Sequence, residues 1–471
     1  MMDEFAVIGG GIGGACSALF LSKQYPTTLY EKEPILGGCA STFKHARSFY
    51  NAGATTFAGY QKGSYIHELF ETSGVAFKSH KLSSALCVLK EDASITRYQE
   101  MESFLDEINK AFYHQKNRAF YALVRSLQER FLAMDTYVYS NASLKDKLLS
   151  MSSFYGLIKA FYPYIFRNAK TFVIDFFGTI SPSYLDYMDN QLLIVAQARL
   201  HEVNFITAAL ALGYQFLDNH YVYGGMGSIF KGIEHALPHV QKNTMIEKIT
   251  QHKHHYTLHT HKDAYEAKNI VLNTSLFDAL PLFESPKIRH YLEQYQPLNS
   301  HMSAFVMYLK INPTLDLKHH YQIILPYTIK YTQSNSLFIS IGDKDDATMA
   351  GSVTVSVHTS TLQWKHEGIL EQKMELEAII EGIICEHLDL RHEDILSRFS
   401  ATPHTFKRYI NRTSLGGIAM RSENLFFKLP SNDSPIKGLY HVGDTTFAAQ
   451  GWPGVLMGVH NLQRILCKHL S

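Results

Sequence analysis

Gly9, Gly11, Gly14 and Glu31, all near the start of the chain, carry its strongest chemical signal. The glycines form a Gly-x-Gly-x-x-Gly pattern directly after the apolar run Phe5-Ala6-Val7-Ile8, and the acid stands 20 residues beyond Gly11. Glycines at this spacing, between a strand and a helix and followed by an acid at that distance, cradle a dinucleotide. Gly9 allows a tight turn, Gly11 lets the backbone approach a pyrophosphate, and Gly14 lets the helix pack closely on the strand. Ile12 and Gly13 open that helix, whose first N–H groups and partial positive charge suit phosphates. Glu31 is expected to accept hydrogen bonds from ribose hydroxyls, and its charge disfavours a 2′-phosphate.

A strand, a helix and a second strand must hold these residues. Phe5 to Ile8 reads as a buried strand. Ala15, Leu19, Phe20, Ser22 and Lys23 follow a helical pattern, and Thr27-Thr28-Leu29-Tyr30 reads as the strand that ends at Glu31. From about residue 80 this pattern stops, and the sequence predicts long helices over 101–132 and 190–217. Asn243 to Ile249 and three short apolar runs ending at Asn273 return to strands. A second excursion follows, in which Val353, Val355 and Val357 alternate as in a strand. Leu376, Ile379, Ile380, Ile383, Ile384 and Leu388 form the apolar face of a helix. The reading is an α/β (α+β) chain with a discontinuous cofactor unit at 1–80, 215–296 and 425–471. A substrate unit, partly helical and aromatic-rich, occupies 81–214 and 297–424.

The choice between flavin and nicotinamide rests on resemblance. Glu31-Lys32-Glu33-Pro34-Ile35-Leu36-Gly37-Gly38-Cys39 resembles the glycine-rich segment after the second strand in the FAD-dependent amine oxidase and phytoene desaturase superfamily. Asn51-Ala52-Gly53-Ala54-Thr55 is similar to a segment beside the flavin in that family. Cys39 stands where many members have Arg, and Asn51 where Asp is usual. Gly224-Gly225-Met226-Gly227 and the Thr402-Pro403…Arg412…Gly416-Gly417 segment resemble phytoene desaturases and carotenoid isomerases. Ile246 matches an adenine contact. Gly443-Asp444 matches the acid on the ribityl–pyrophosphate region, and Gly451-Trp452-Pro453-Gly454-Val455 the turn against the flavin ring. The resemblance implies a Rossmann-type FAD domain of the glutathione reductase/amine oxidase kind, with an interleaved mixed-sheet and helical substrate domain. The cofactor it implies is FAD, with Trp452 a candidate pocket residue.

Activity follows as an expectation: hydride transfer to or from flavin N5 on an apolar isoprenoid or polyene, by a desaturase, isomerase or saturase. A flavin amine oxidase and an accessory protein without turnover stand as alternatives. The family's amine oxidases hold a lysine early on a substrate-domain strand. In the corresponding stretch, His301 to Lys310, the first lysine is Lys310. Electrons are expected to pass to a quinone or O2.

Bulk properties bound the rest. The 471 residues are 46% hydrophobic and 18% charged, enough for a large core. A net charge of +1 gives no argument for a nucleic-acid partner. Five scattered cysteines favour a reducing compartment. The expected location is cytoplasmic, with the inner face of the membrane as a candidate surface, because Phe154 to Phe177 interleaves aromatics with Lys159, Arg167 and Lys170. The histidines between His252 and His261 lack an acid or cysteine at ligand spacing, and no metal is expected.

Overall fold

The computed structural model describes residues 2–133, 138–364, 367–412, 414–425, 428–448 and 450–469. Strand β1 (Asp3–Ile8) runs into helix α1 (Ile12–Leu21) and then strand β2 (Thr27–Tyr30). β1 pairs in parallel with β2, Ile8 opposite Tyr30, and on its other side with the strand Ala264–Leu272, Ile8 opposite Leu272. The latter also takes the strand Leu439–His441 in parallel. Short antiparallel strands at Lys248–Gln251 and Tyr256–His259 extend the sheet. Both faces are covered, which is why Phe5 to Ile8 is apolar throughout and not alternating. Phe5 and Val7 face α1 and the helix Gly451–His469, while Ala6 and Ile8 face Ile246, Leu276 and Ile288.

The second sheet has seven strands, ordered Ile395–Ala401, Met302–Ile311, Ser352–Ser360, Ser336–Ile341, His320–Ile324, Ser84–Lys90 and Ala93–Tyr98. Its alternation sorts the side chains. Val353, Val355, Val357, Leu337, Ile339, Phe305 and Leu309 pack on the helix Ile369–Leu388. The intervening Ser336, Phe338, Ser356, His358, Ala304, Val306 and Tyr308 face a large cavity.

The two long helices predicted from sequence are interrupted. The first becomes Met101–Ala111 and Asn117–Leu132, because Phe112 leaves helical geometry and its carbonyl accepts from the Asn117 side chain. The second begins earlier, at Pro182, and stops at Ala196. Gln197 turns into the left-handed region (φ 51°), and Asn204 caps a new helix, Phe205–Leu212. The aromatic stretch divides likewise: Phe161, Ile165, Phe172, Val173 and Phe177 are buried in the helical core, and Arg167 pairs with Asp175. The exposed apolar residues lie mostly upstream, on the helix Leu144–Phe161.

Candidate active site

The cavity, about 960 Å³, runs between the two sheets, at the upper end of the range of about 300–1,000 Å³ typical of small-molecule sites. One wall is the dinucleotide cradle. Gly9 adopts φ 97°, open to glycine but strained for other residues. A Cβ on Gly14 would lie 2.0 Å from the Gly9 carbonyl oxygen, so the glycine is what allows α1 to sit against β1. Gly11 caps α1 without a side-chain hydrogen bond and no acid occupies the first turn, which leaves the helix-start donors for an anion. Glu31 is fixed by two backbone donors, Gly10 N–H to Oε2 at 2.7 Å and Glu33 N–H to Oε1 at 2.9 Å. Burial raises its pKa, with those two hydrogen bonds opposing.

Neighbouring loops are stitched to the cradle. The Gly37 N–H donates to the Gly10 carbonyl at 2.8 Å, and the Ala54 N–H donates to the Cys39 carbonyl at 2.9 Å. Lys32, Gly38, Gly53, Thr55, Ile246, Gly443, Asp444, Gly451 and Val455 join Gly9, Gly11, Ile12, Gly13, Glu31, Cys39 and Ala54 on the cavity wall. Burial pushes the Cys39 thiol up, away from thiolate chemistry. Asn51 accepts from the Met226 N–H at 2.9 Å and from the Thr42 hydroxyl at 2.8 Å, so it latches the Gly224–Gly227 turn.

Trp452 departs from expectation. It is 2% exposed and packs on Phe57 and Phe230, at ring-centroid distances of 5.0 and 5.8 Å, inside the cofactor-domain core. The helix Gly451–His469 explains this, since Trp452, Leu456 and Val459 share its core-facing stripe while Gly451 and Val455 meet the cavity. Pro453 and Gly454 are likewise off the wall. Lys310 is also remote, its ammonium donating to the Ala350 carbonyl.

Two arginines define the site further, Arg412 from the Thr402 to Gly417 segment and Arg97, which no motif contains. Arg412 follows the helix Pro403–Ile410 and donates to Asp444 at 2.8 Å, while its buried Nε has no partner. Burial opposes its charge, but Asp444 and nearby Cys39 more than offset this and raise its pKa. Arg97, on the strand Ala93–Tyr98 opposite Leu86 and bonded to Gln191, lines the cavity with Ala85, Ile194 and Val195. Elsewhere, His80, His319 and Asp343 bring ligand-type atoms within 4.8 Å of one another, across a sequence separation that hides the grouping.

The orphaned guanidinium nitrogen, the uncapped helix start and the buried acid at the end of β2 fit a dinucleotide diphosphate and ribose. Fold and site together define a Rossmann-type nucleotide unit joined to a seven-stranded mixed sheet, with one cavity lined by both. Residues 7–72 match the NAD(P)-binding Rossmann-like domain family. The chain is 24% identical over 498 residues to prolycopene isomerase 2, chloroplastic, of an Oncidium hybrid cultivar, covering 94% of this chain and 80% of that one. The carrot (Daucus carota) prolycopene isomerase is 23% identical over 487 residues, with 94% and 77% coverage. Similar solved structures include an oxidoreductase from Methanosarcina mazei (TM-score 0.65, 15% identity, 98% and 99% coverage). Putrescine oxidase bound to putrescine gives a TM-score of 0.62 at 12% identity, covering 100% of this chain and 99% of that one. A CLA-producing fatty acid isomerase from P. acnes gives 0.59 at 14% identity, with 100% and 99% coverage.

Proposed function

We propose that the chain is an FAD-dependent oxidoreductase acting on an unsaturated, largely apolar chain substrate, as a desaturase, saturase or isomerase. The observation that carries this is a single cavity in which a dinucleotide cradle faces a wall of Leu86, Ile194, Val195, Tyr214 and Phe338. Bound in the cradle, FAD supplies a two-electron acceptor or donor next to that wall. The α1 start and Arg412 hold the diphosphate, Glu31 holds the ribose, and Asp444 orients Arg412. The Phe338, Ala304, Val306 and Tyr308 side chains keep water from the reacting carbons. Among the described residues the cavity's lysines are Lys32 and Lys44, neither on the Met302–Ile311 strand, which argues against an amine oxidase. Electrons leave to a quinone or O2, or stay with the protein if the reaction is an isomerisation.

Purified protein is expected to take up FAD and turn yellow, and polyprenyl or polyunsaturated lipids should perturb the flavin spectrum anaerobically. Failure to take up FAD overturns the cofactor assignment. Bleaching by amines and not by lipids overturns the substrate class.

We further propose that the helix Leu144–Phe161 rests on an anionic membrane surface. Leu144, Leu148, Met151 and Tyr155 are 53–76% exposed, and at about 100° per residue they form one stripe. Exposed Lys145, Lys147 and Lys159 flank it, the pattern of an interfacial helix. No helix among the described residues is long and apolar enough to cross a membrane. Flotation with phosphatidylglycerol vesicles should fall in the double variant Leu148→Glu/Tyr155→Glu. Unchanged flotation, or none in the parent protein, overturns the proposal.

A further inference from the structure

We infer that Arg97 anchors an anionic head group, so that the substrate is an unsaturated chain ending in a carboxylate or phosphate and not a plain hydrocarbon. The inference rests on the cavity being the substrate's, as proposed above, and it adds a polar end to that substrate. Arg97 is 2% exposed and lines the cavity. Its partners are all neutral: the Gln215 and Gln191 side-chain carbonyl oxygens, and the Leu212 backbone carbonyl at 2.8 Å. A guanidinium has five N–H donors, so three are engaged and two remain. Among the described residues no carboxylate forms an ion pair with it. Tyr121 and Tyr187 sense its charge, but burial raises both phenol pKa values and keeps them protonated.

A buried charge without a counter-ion is costly, and the usual remedies are an opposite charge or a full set of hydrogen bonds. Here donors exceed acceptors. Gln215 gives its carbonyl to Arg97, and its buried Nε2 is left without a partner. Gln191 gives its carbonyl likewise, and its Nε2 donates to Gln322 at 2.6 Å, which fixes the group from behind. Gln322 donates in turn to the Asn190 carbonyl at 3.3 Å. What is missing is an acceptor-rich, negatively charged group on the cavity side, and planar guanidinium recognises carboxylate and phosphate oxygens with two parallel bonds. The adjacent wall of Ala85, Leu86, Ile194 and Val195 suits the methylene chain that would follow such a group. A hydrocarbon without a polar end gives Arg97 nothing to bind.

Calorimetry on the full-length protein, supplied with FAD, tests this with one unsaturated C18 chain carrying four ends: carboxylate, methyl ester, alcohol and phosphate ester. All are used below the concentration at which they form micelles. The carboxylate or the phosphate ester is expected to bind about tenfold or more tightly than the ester and alcohol, and the better of the two identifies the head group. Arg97→Met should bring the charged ligand to the level of the ester while leaving the ester unchanged, and Arg97→Lys should restore part of the preference. Equal binding of charged and neutral ends by the parent protein overturns the inference, and so does a preference that survives in Arg97→Met. The comparison among ligands needs no variant, so it stands even where a substitution prevents folding. FAD uptake is read separately from absorbance: selective acid binding without FAD would sink the proposed function alone, and FAD uptake without selectivity would sink the Arg97 assignment alone.

Discussion

At the scale of single residues, the cradle joins one acid and one base drawn from distant parts of the chain. Glu31 arrives with β2, and Arg412 comes from beyond the strand Ile395–Ala401 to meet Asp444 at 2.8 Å. Replacing Arg412 by Gln is expected to weaken FAD by about 1.5–3 kcal/mol, the usual worth of a hydrogen bond to a charged group. Glu31→Ala should cost a similar amount, and equilibrium dialysis measures both. FAD affinity unchanged by Arg412→Gln would mean that the guanidinium serves Asp444 alone. The placement of Gly9, Gly11, Gly14 and Glu31 on one strand–helix–strand unit was legible because it is local, set by spacing along the chain. Arg412 was read only as part of the Thr402 to Gly417 segment, since its place beside Cys39 joins positions far apart in sequence. Cys39 was read as standing where the resembled superfamily has Arg, and the structure brings the Arg412 guanidinium to the same neighbourhood. Asn51 was read only as a departure, and its bonds from the Met226 N–H of the Gly224–Gly227 turn and from the Thr42 hydroxyl became visible in three dimensions alone.

At the scale of elements, two glycines on helices should behave in opposite ways. Gly14 lies where a Cβ would sit 2.0 Å from the Gly9 carbonyl oxygen. Gly14→Ala must push α1 off β1, with an expected loss of about 3 kcal/mol or more and of FAD uptake together. Gly382 sits in the interior of the helix Ile369–Leu388, with nothing within 4 Å of an added Cβ. Gly382→Ala should therefore raise stability by about 0.5–1 kcal/mol, through reduced freedom of the unfolded chain and better helix propensity. Urea denaturation separates the two outcomes. Helix faces also explain where sequence reading went astray. Trp452 adjoins Gly451 in sequence, but a 3.6-residue repeat turns it toward Leu456, Val459 and the core. The two overlong predicted helices failed where local geometry ends a helix without Gly or Pro: the Asn117 side chain on the Phe112 carbonyl five residues back, and the left-handed turn at Gln197. By contrast, the Val353, Val355, Val357 alternation was legible because one face of the strand is packed by a helix throughout.

At the scale of the whole molecule, acid sensitivity follows from buried imidazoles. His441 is fully buried with neither ring nitrogen partnered, and burial pushes its pKa down to about 3. His320 is likewise pushed down to about 3, and His358 to about 4, again with burial as the main cause. Each is neutral in the native state but has an ordinary value of 6.5 when exposed. The unfolded chain therefore binds more protons below pH 6.5, and stability is complete above that value and lost as pH falls toward 3–4. At pH 5 the loss is about 2 kcal/mol for a fully buried group such as His441, from about 1.4 kcal/mol per pH unit. His358, which lines the cavity, should contribute less. Thermal melts from pH 7.5 to 5 should show a falling Tm, with a shallower slope in His441→Phe. A slope identical to the parent's would show that other groups govern the acid limb.

The parallel pairing of Ala264–Leu272 with both β1 and Leu439–His441 has a consequence for how the protein is made. On the ribosome, β1 and β2 emerge long before either partner strand, and the Gly451–His469 helix that covers Phe5 and Val7 emerges later still. The glycine cradle therefore spends most of synthesis as an open hairpin of strand and helix with apolar faces bare, in need of shielding from other nascent chains. Contacts of such long range make closure slow, because loops of hundreds of residues must be ordered before any pairing rewards them. A nucleotide that spans Glu31, Arg412 and Asp444 binds only the finished chain, and so draws the last step of folding forward by mass action. With FAD as that nucleotide, as proposed, its cellular supply would control how much of this protein accumulates, acting through maturation and not through catalysis.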